Sequence, residues 1–260
     1  MVRRRRNALL LPLLALVLAL ALVTGSCRAP SDDAARRSPP TAVTTAPPVA
    51  RTTAVFPLSA AKADEITFEQ LVLLLPRRPI VVGFDVDDTL IFSAPGFNEL
   101  QKEYDPEVIR PRDYSKLTPQ QKFEYREFWN RLNEEYDDQS VPKKIAKRLL
   151  DLHLARGDDI WIISKRQSSQ PDTGTCTRRY ERLFDVKLPH PVIFTQLKDK
   201  TPFLAERYIE YYYGDSDSDI TAAVAAGAVP IRVKRGPGSY AKDPPHNGQL
   251  GEAVLKDSEK

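Results

Sequence analysis

"VVGFDVDDTLIFSAPGF", residues 81–97, places an uncharged apolar run directly before three acids in four positions, Asp85, Asp87 and Asp88. The run is of strand length with no polar alternation, which predicts a strand buried on both faces of a sheet. Clustered carboxylates repel one another and are costly in a dry core. Their place just past the strand end therefore implies either solvent or a cation. In extended chain Asp85 and Asp87, two residues apart, project toward the same side.

Downstream the pattern alternates. "PKKIAKRLLDLHLARG" (142–157) has apolar residues at helical spacing, a proline suited to the first turn and Gly157 as its stop. Strands are predicted at 160–163, 192–194, 211–213 and, as the last, 231–233, with helices at 176–184, 201–208 and 219–227 between them. Upstream, "ITFEQLVLLLP" reads as a short helix with a Thr67–Gln70 capping box, blocked by Pro76. Strands alternating with helices predict an α/β fold, a mostly parallel sheet covered on both faces, with ligands outside the carboxyl ends of its strands. The insertion from Phe97 to Val141 holds eight of the chain's 22 aromatics. That concentration suits a helical pair with its own small core, or a cap that roofs the crevice and offers aromatic walls.

"YYYGDSDSDI" (211–220) repeats the opening arrangement, with Asp215, Asp217 and Asp219 behind another short strand. Either acidic run alone reads as a solvated loop or an Asp-rich helix cap. Two such strand ends in one sheet bring four or five carboxylates together, an all-oxygen set that suits a hard cation such as Mg²⁺.

At the amino end, "MVRRRR" precedes an uncharged apolar run from Ala8 to Val23 and then "TGSC". Residues 1–27 read as an export signal, with a membrane anchor as the alternative. "VTGSC" resembles the site before the lipidated cysteine of bacterial lipoproteins, which would put Cys27 on lipid and leave Cys176 as the other thiol, with no intrachain disulfide. Residues 28–63, with six prolines among Ala, Thr and Ser, read as a disordered tether. Residues 64–260 then form the folded domain, located outside the cytoplasm. Four of the 38 Lys and Arg fall in residues 1–27 and none of the 35 Asp and Glu do, leaving 34 against 35. The chain beyond residue 27 is thus close to neutral and lacks the basic excess that a nucleic-acid polymer requires.

"FDVDDTLIFSAPGF", the "ISKR" after the strand at 160–163, the lysine of "DKTPFL" and "YGDSDSDI" resemble the four ordered motifs of haloacid dehalogenase superfamily phosphatases, which carry a Rossmann-like fold with a small helical cap. "SAPGF", "FWNRLN" and "YGDSDSDITAAVAAGA" resemble the class B, non-specific acid phosphatases of bacteria over roughly Ile66 to Leu255. The resemblance implies Asp85 as the nucleophile that forms an aspartyl-phosphate and Asp87 as the acid and then base. It implies Mg²⁺ on the Asp85 carboxylate, the Asp87 carbonyl and the Asp215 carboxylate, with Asp219 in support. Ser164, Lys165, Arg166 and Lys200 would contact the phosphate or the rest of the substrate, and Phe97, Trp129 and Tyr240 would form an apolar substrate pocket. A homotetramer acting on small phosphomonoesters is implied as well. Two carboxylates divide the roles if the ion keeps one ionised and the other is protonated more often. One departure stands out: the family has a threonine, glycine, arginine run where this chain has Ser164, Lys165 and Arg166, and lysine for glycine puts substrate preference in question.

Other readings are weaker. "CTRRYER" (176–182) has the spacing of cysteine-dependent phosphatases, but its bulky residues suit a helix rather than a phosphate loop. His153, His190 and His246 lie in no "RHG" context, and no Walker-type loop occurs. A phosphotransferase or a narrow-range nucleotidase would use the same intermediate. A tethered binding protein that kept the fold without the chemistry would not need Asp85.

Overall fold

The computed structural model describes residues 65–168 and 174–260. The signal, the tether and Cys27 lie outside the described residues. In chain order the elements are β1 (Glu65–Ile66), α1 (Phe68–Leu74), β2 (Val81–Phe84), β3 (Ile91–Phe92), α2 (Ala94–Leu100), α3 (Pro106–Ile109), α4 (Pro119–Arg131), β4 (Val141–Pro142), α5 (Lys144–Arg156), β5 (Asp159–Ser164), α6 (Gly174–Phe184), β6 (Ile193–Phe194), α7 (Thr201–Glu206), β7 (Tyr211–Gly214), α8 (Asp217–Ala225), β8 (Val229–Val233) and β9 (Ala253–Leu255).

Seven strands form one sheet in the order β1-β9-β8-β7-β2-β5-β6, and every neighbouring pair is parallel. The apolar run at 81–84 is its centre. From β2 the chain builds outward through β5 and β6, then crosses to the opposite flank at β7. That reversal opens a crevice at the carboxyl ends of β2, β5 and β7.

Each face of the sheet has its own packed layer. Val82, Phe84, Ile160, Ile162, Tyr211 and Tyr213 meet Leu149 and Leu150 of α5 and Tyr180 and Phe184 of α6. On the other face Ile163 and Tyr212 meet Leu204 of α7 and Ala222 and Ala223 of α8. Tyr212 alternates with its neighbours because successive strand residues face opposite ways. Gly83 makes room for it, since a Cβ there would lie 2.6 Å from the Tyr212 ring.

α1 starts at the Thr67–Gln70 capping box, with both reciprocal bonds formed (3.2 and 2.7 Å). α5 ends at Gly157, whose φ of 72° suits a residue without a Cβ. Two expectations fail. Pro142 does not open α5: it pairs with Ile91 in the antiparallel β3–β4 ladder, and Lys143 is the residue before the helix. A proline before a helix and a proline in a two-residue edge strand look alike in sequence. Nor is 231–233 the last strand, because β9 follows and pairs with both β8 and β1. Two- and three-residue strands are too short to show a period.

The β3–β4 ladder is the base of the helical cap. α2, α3, α4 and a wide helical turn at Leu132–Tyr136 enclose a separate core in which Phe97, Leu100, Phe128 and Leu132 are almost wholly buried. Trp129 of that same core lines the crevice. Among the described residues no helix is long and apolar enough to cross a membrane.

Candidate active site

A cleft of about 180 Å³ lies over the carboxyl ends of the central strands, lined by Asp85, Asp87, Asp88, Asp215 and Asp219. Asp85 is the residue after β2, and its N–H extends the ladder by donating to the Tyr213 carbonyl (2.9 Å). Asp215 follows β7 in the same way. Asp219 reaches the site through the capping box of α8: its Oδ2 accepts from the Ser216 N–H (3.1 Å) and hydroxyl (2.6 Å). A Cβ on Gly214 would lie 2.3 Å from that of Asp219, so only glycine lets the helix start this close to the strand. Asp217 turns away and bonds Arg232 (2.9 Å) and His246 (2.6 Å).

Lys200, the residue before α7, is buried with each of its three donors engaged. It contacts Asp85 Oδ1, Asp219 Oδ1 (2.7 Å) and the Tyr212 hydroxyl (2.9 Å), which in turn donates to the Ile163 carbonyl (3.0 Å). Burial works against the ammonium, but Asp219 and Asp85 outweigh it and hold Lys200 charged. Asp219 answers in kind: burial opposes its charge, and Lys200 and Ser216 still bring its carboxyl below the usual range.

Asp85 lies well above the ordinary carboxyl range, because burial and the neighbouring Asp219, Asp215 and Asp87 outweigh Lys200. Asp215 is pushed up to about 7 by burial and Asp219, against the pull of Arg235, whose Nε contacts its Oδ2. Asp87 goes the other way: burial raises it, but Arg166 and the Ser93 hydroxyl (2.5 Å) more than compensate. The surroundings thus favour the protonated form at Asp85 and the ionised form at Asp87.

One carboxylate oxygen from each of Asp85, Asp215 and Asp219 lies within 4.8 Å of the others. Three buried carboxylates at that spacing, with Lys200 and Arg235 the cationic side chains in contact with them among the described residues, fit a hard divalent cation. Both Asp219 oxygens are already engaged, which suits support better than ligation.

Ser164 ends β5 and lines the cleft; its Oγ accepts from the Arg166 N–H (3.2 Å). Lys165 also lines the cleft and has no positive φ, so its backbone conformation is one that a residue with a side chain adopts freely. Arg166 departs from expectation. All five of its N–H donors are held by Asp87, Asp137 and Asn133, so that contact with a phosphate would break at least one of these bonds. Phe97 departs too: at 1% exposure it stacks behind Tyr240 (4.2 Å between centroids), and it is Tyr240 and Trp129 that face the cleft. Cys176 lies in α6 with its thiol pushed up to about 11 by burial, far from a reactive thiolate.

Three further residues belong to the site without having been assigned a role from the sequence. Asp88, at φ 56°, accepts from the Ser239 hydroxyl (2.5 Å) through Oδ2, while its buried Oδ1 has no hydrogen-bond partner among the described residues. Arg232 holds the Asp215 carbonyl (2.9 Å), and Leu197 reaches the wall from a left-handed backbone. Asp88 could have been found from the acidic run itself.

No family model matches the chain. The chain is 42% identical over 190 residues to the class B acid phosphatase of Klebsiella pneumoniae strain 342, covering 72% of this chain and 76% of that one. It is 41% identical over 187 residues to the class B acid phosphatase of Marinomonas sp. strain MWYL1, covering 70% and 74%. A haloacid dehalogenase-like hydrolase from Streptococcus pneumoniae superposes with a TM-score of 0.48 at 15% identity, over 71% of this chain and 96% of that one. With the sheet, the cap and the acidic cleft already in place, identity of this depth and extent makes the chain a member of the class B acid phosphatases, which are phosphomonoester hydrolases.

Proposed function

We propose that the phosphoryl group passes through Asp85. The observation that carries this reading is the placement of Asp85 at the end of the central strand, facing the cleft, against the Lys200 ammonium and beside two further buried carboxylates. A carboxylate oxygen of Asp85 attacks phosphorus and the ester oxygen departs. The resulting acyl phosphate is open to water, which returns Asp85 and releases phosphate. Ser164 donates its hydroxyl hydrogen to a phosphoryl oxygen, and Lys200 does the same by exchanging one of its three present partners.

Asp87 carries the proton. Because Arg166 keeps it ionised at rest, it must first accept one, and the substrate brings it: a phosphomonoester has a second pKa of about 6 and arrives protonated in acid. Asp87 then protonates the departing oxygen and afterwards takes a proton from the attacking water. This gives a physical reason for activity in acid that does not require Asp87 to be protonated beforehand.

Mg²⁺ would be held by the Asp85 and Asp215 carboxylates and the Asp87 carbonyl. When bound it would offset the repulsion among the acids and draw charge from a phosphoryl oxygen. Hydrolysis of p-nitrophenyl phosphate is expected to fall to background after chelation and dialysis and to return with Mg²⁺. Full activity after thorough chelation would count against the assignment. Residues 1–27 support action outside the cytoplasm, with Cys27 as the attachment point; labelling with a palmitate analogue that is lost in Cys27→Ala would test this.

A further inference from the structure

Arg166 joins the cap to Asp87. Its Nε and one Nη2 hydrogen go to the two Asp87 oxygens (2.9 and 2.7 Å). The other Nη2 hydrogen and one Nη1 hydrogen go to Asp137 (3.0 and 2.8 Å), and the last goes to Asn133 Oδ1 (3.1 Å). Asn133 lies in the wide turn after α4, and Asp137 caps its end. The acceptors are fixed in turn. Asp137 accepts from the hydroxyls of Tyr180 (2.9 Å) and Ser140 (3.0 Å), and Asn133 donates to the Gln167 carbonyl (2.8 Å). Arg179 of α6 grips the same turn through the Asn133 and Glu134 carbonyls and the Asp138 carboxylate (2.6 Å).

A planar guanidinium with every N–H committed cannot rotate without losing charge-assisted bonds on at least one edge. Its orientation, and with it the plane of the Asp87 carboxylate, is therefore set by cap residues absent from the cleft wall. We propose that Asp137 and Asn133 are positioning residues for proton transfer: through Arg166 they aim Asp87 at the departing oxygen, so that seating the cap and aligning the acid are one event. The inference rests on the role given above to Asp87.

The test compares kcat/KM for two esters in Asp137→Asn. p-Nitrophenolate leaves without a proton, whereas the alkoxide of glycerol phosphate cannot. Misaiming the acid is expected to lower the alkyl ester's value about 10²-fold more than the aryl ester's, the lower end of what a general acid contributes. Equal losses on both esters in a folded variant would overturn the proposal, since a merely structural defect does not distinguish leaving groups. Should Asp137→Asn not fold, Asn133→Ala removes a single acceptor and is expected to tilt the ratio the same way, by about tenfold; an unchanged ratio there overturns it equally. A wild-type chain that splits neither ester would instead remove the premise that this site hydrolyses phosphomonoesters.

Discussion

Replacing Asp85 with asparagine is expected to abolish turnover while leaving the fold intact. Removal of a catalytic nucleophile costs on the order of 10⁶ in kcat in a well-studied hydrolase, so a loss of at least about 10⁴ is the expectation here. The fold should tolerate the change because asparagine has the same shape and its amide oxygen can still accept from Lys200. It also removes a charge that burial and three neighbouring acids disfavour. Steady-state hydrolysis of p-nitrophenyl phosphate, run beside a urea unfolding curve, separates the two effects. A variant with ordinary stability and ordinary turnover would remove Asp85 from the reaction.

Lys200→Met is expected to damage both activity and stability. The ammonium is the shared partner of Asp85 and Asp219, both buried, and methionine fills its space with nothing to donate. Breaking a buried pair by removing one partner typically costs about 3–5 kcal/mol, because the remaining charge is left uncompensated. Loss of a preorganised donor at a reacting centre lowers kcat by about 10²–10³. Both should appear together, as a lower urea midpoint and a lower kcat at temperatures where the variant is still folded. Turnover within tenfold of wild type would show that the phosphoryl group does not rely on this ammonium.

The positions of the acids were legible because a continuous apolar strand followed by Asp leaves the carboxylate little choice but the sheet's carboxyl edge. Asp85 and Asp215 are of this kind, whereas Ser164, the last residue of β5, was singled out by the family resemblance. Lys200 was separable from the nearby Lys198 by its 15-residue lead over Asp215 and by the helix that starts directly after it. Arg166 was not legible: the family's threonine, glycine, arginine run suggested a contact with substrate, but the direction of a long guanidinium depends on acceptors that only the folded cap supplies. For the same reason nothing in "LNEEYDDQ" singled out Asn133 and Asp137 from their acidic neighbours. Phe97 and Trp129 share one aromatic cluster, and no spacing rule separates the ring that faces the cleft from the one stacked behind Tyr240. The edges of the sheet were lost for want of length, since β1 and β9 have two and three residues.

The most direct measurement is to mix the Mg²⁺-supplemented protein with p-nitrophenyl phosphate, quench in acid within the first turnovers, and reduce with borohydride before peptide mass spectrometry. An acyl phosphate on Asp85 is converted by reduction to homoserine at that position, and this is the expected product. Phosphate release with an unmodified residue 85, or a phosphoryl group found on another side chain, would contradict the assignment.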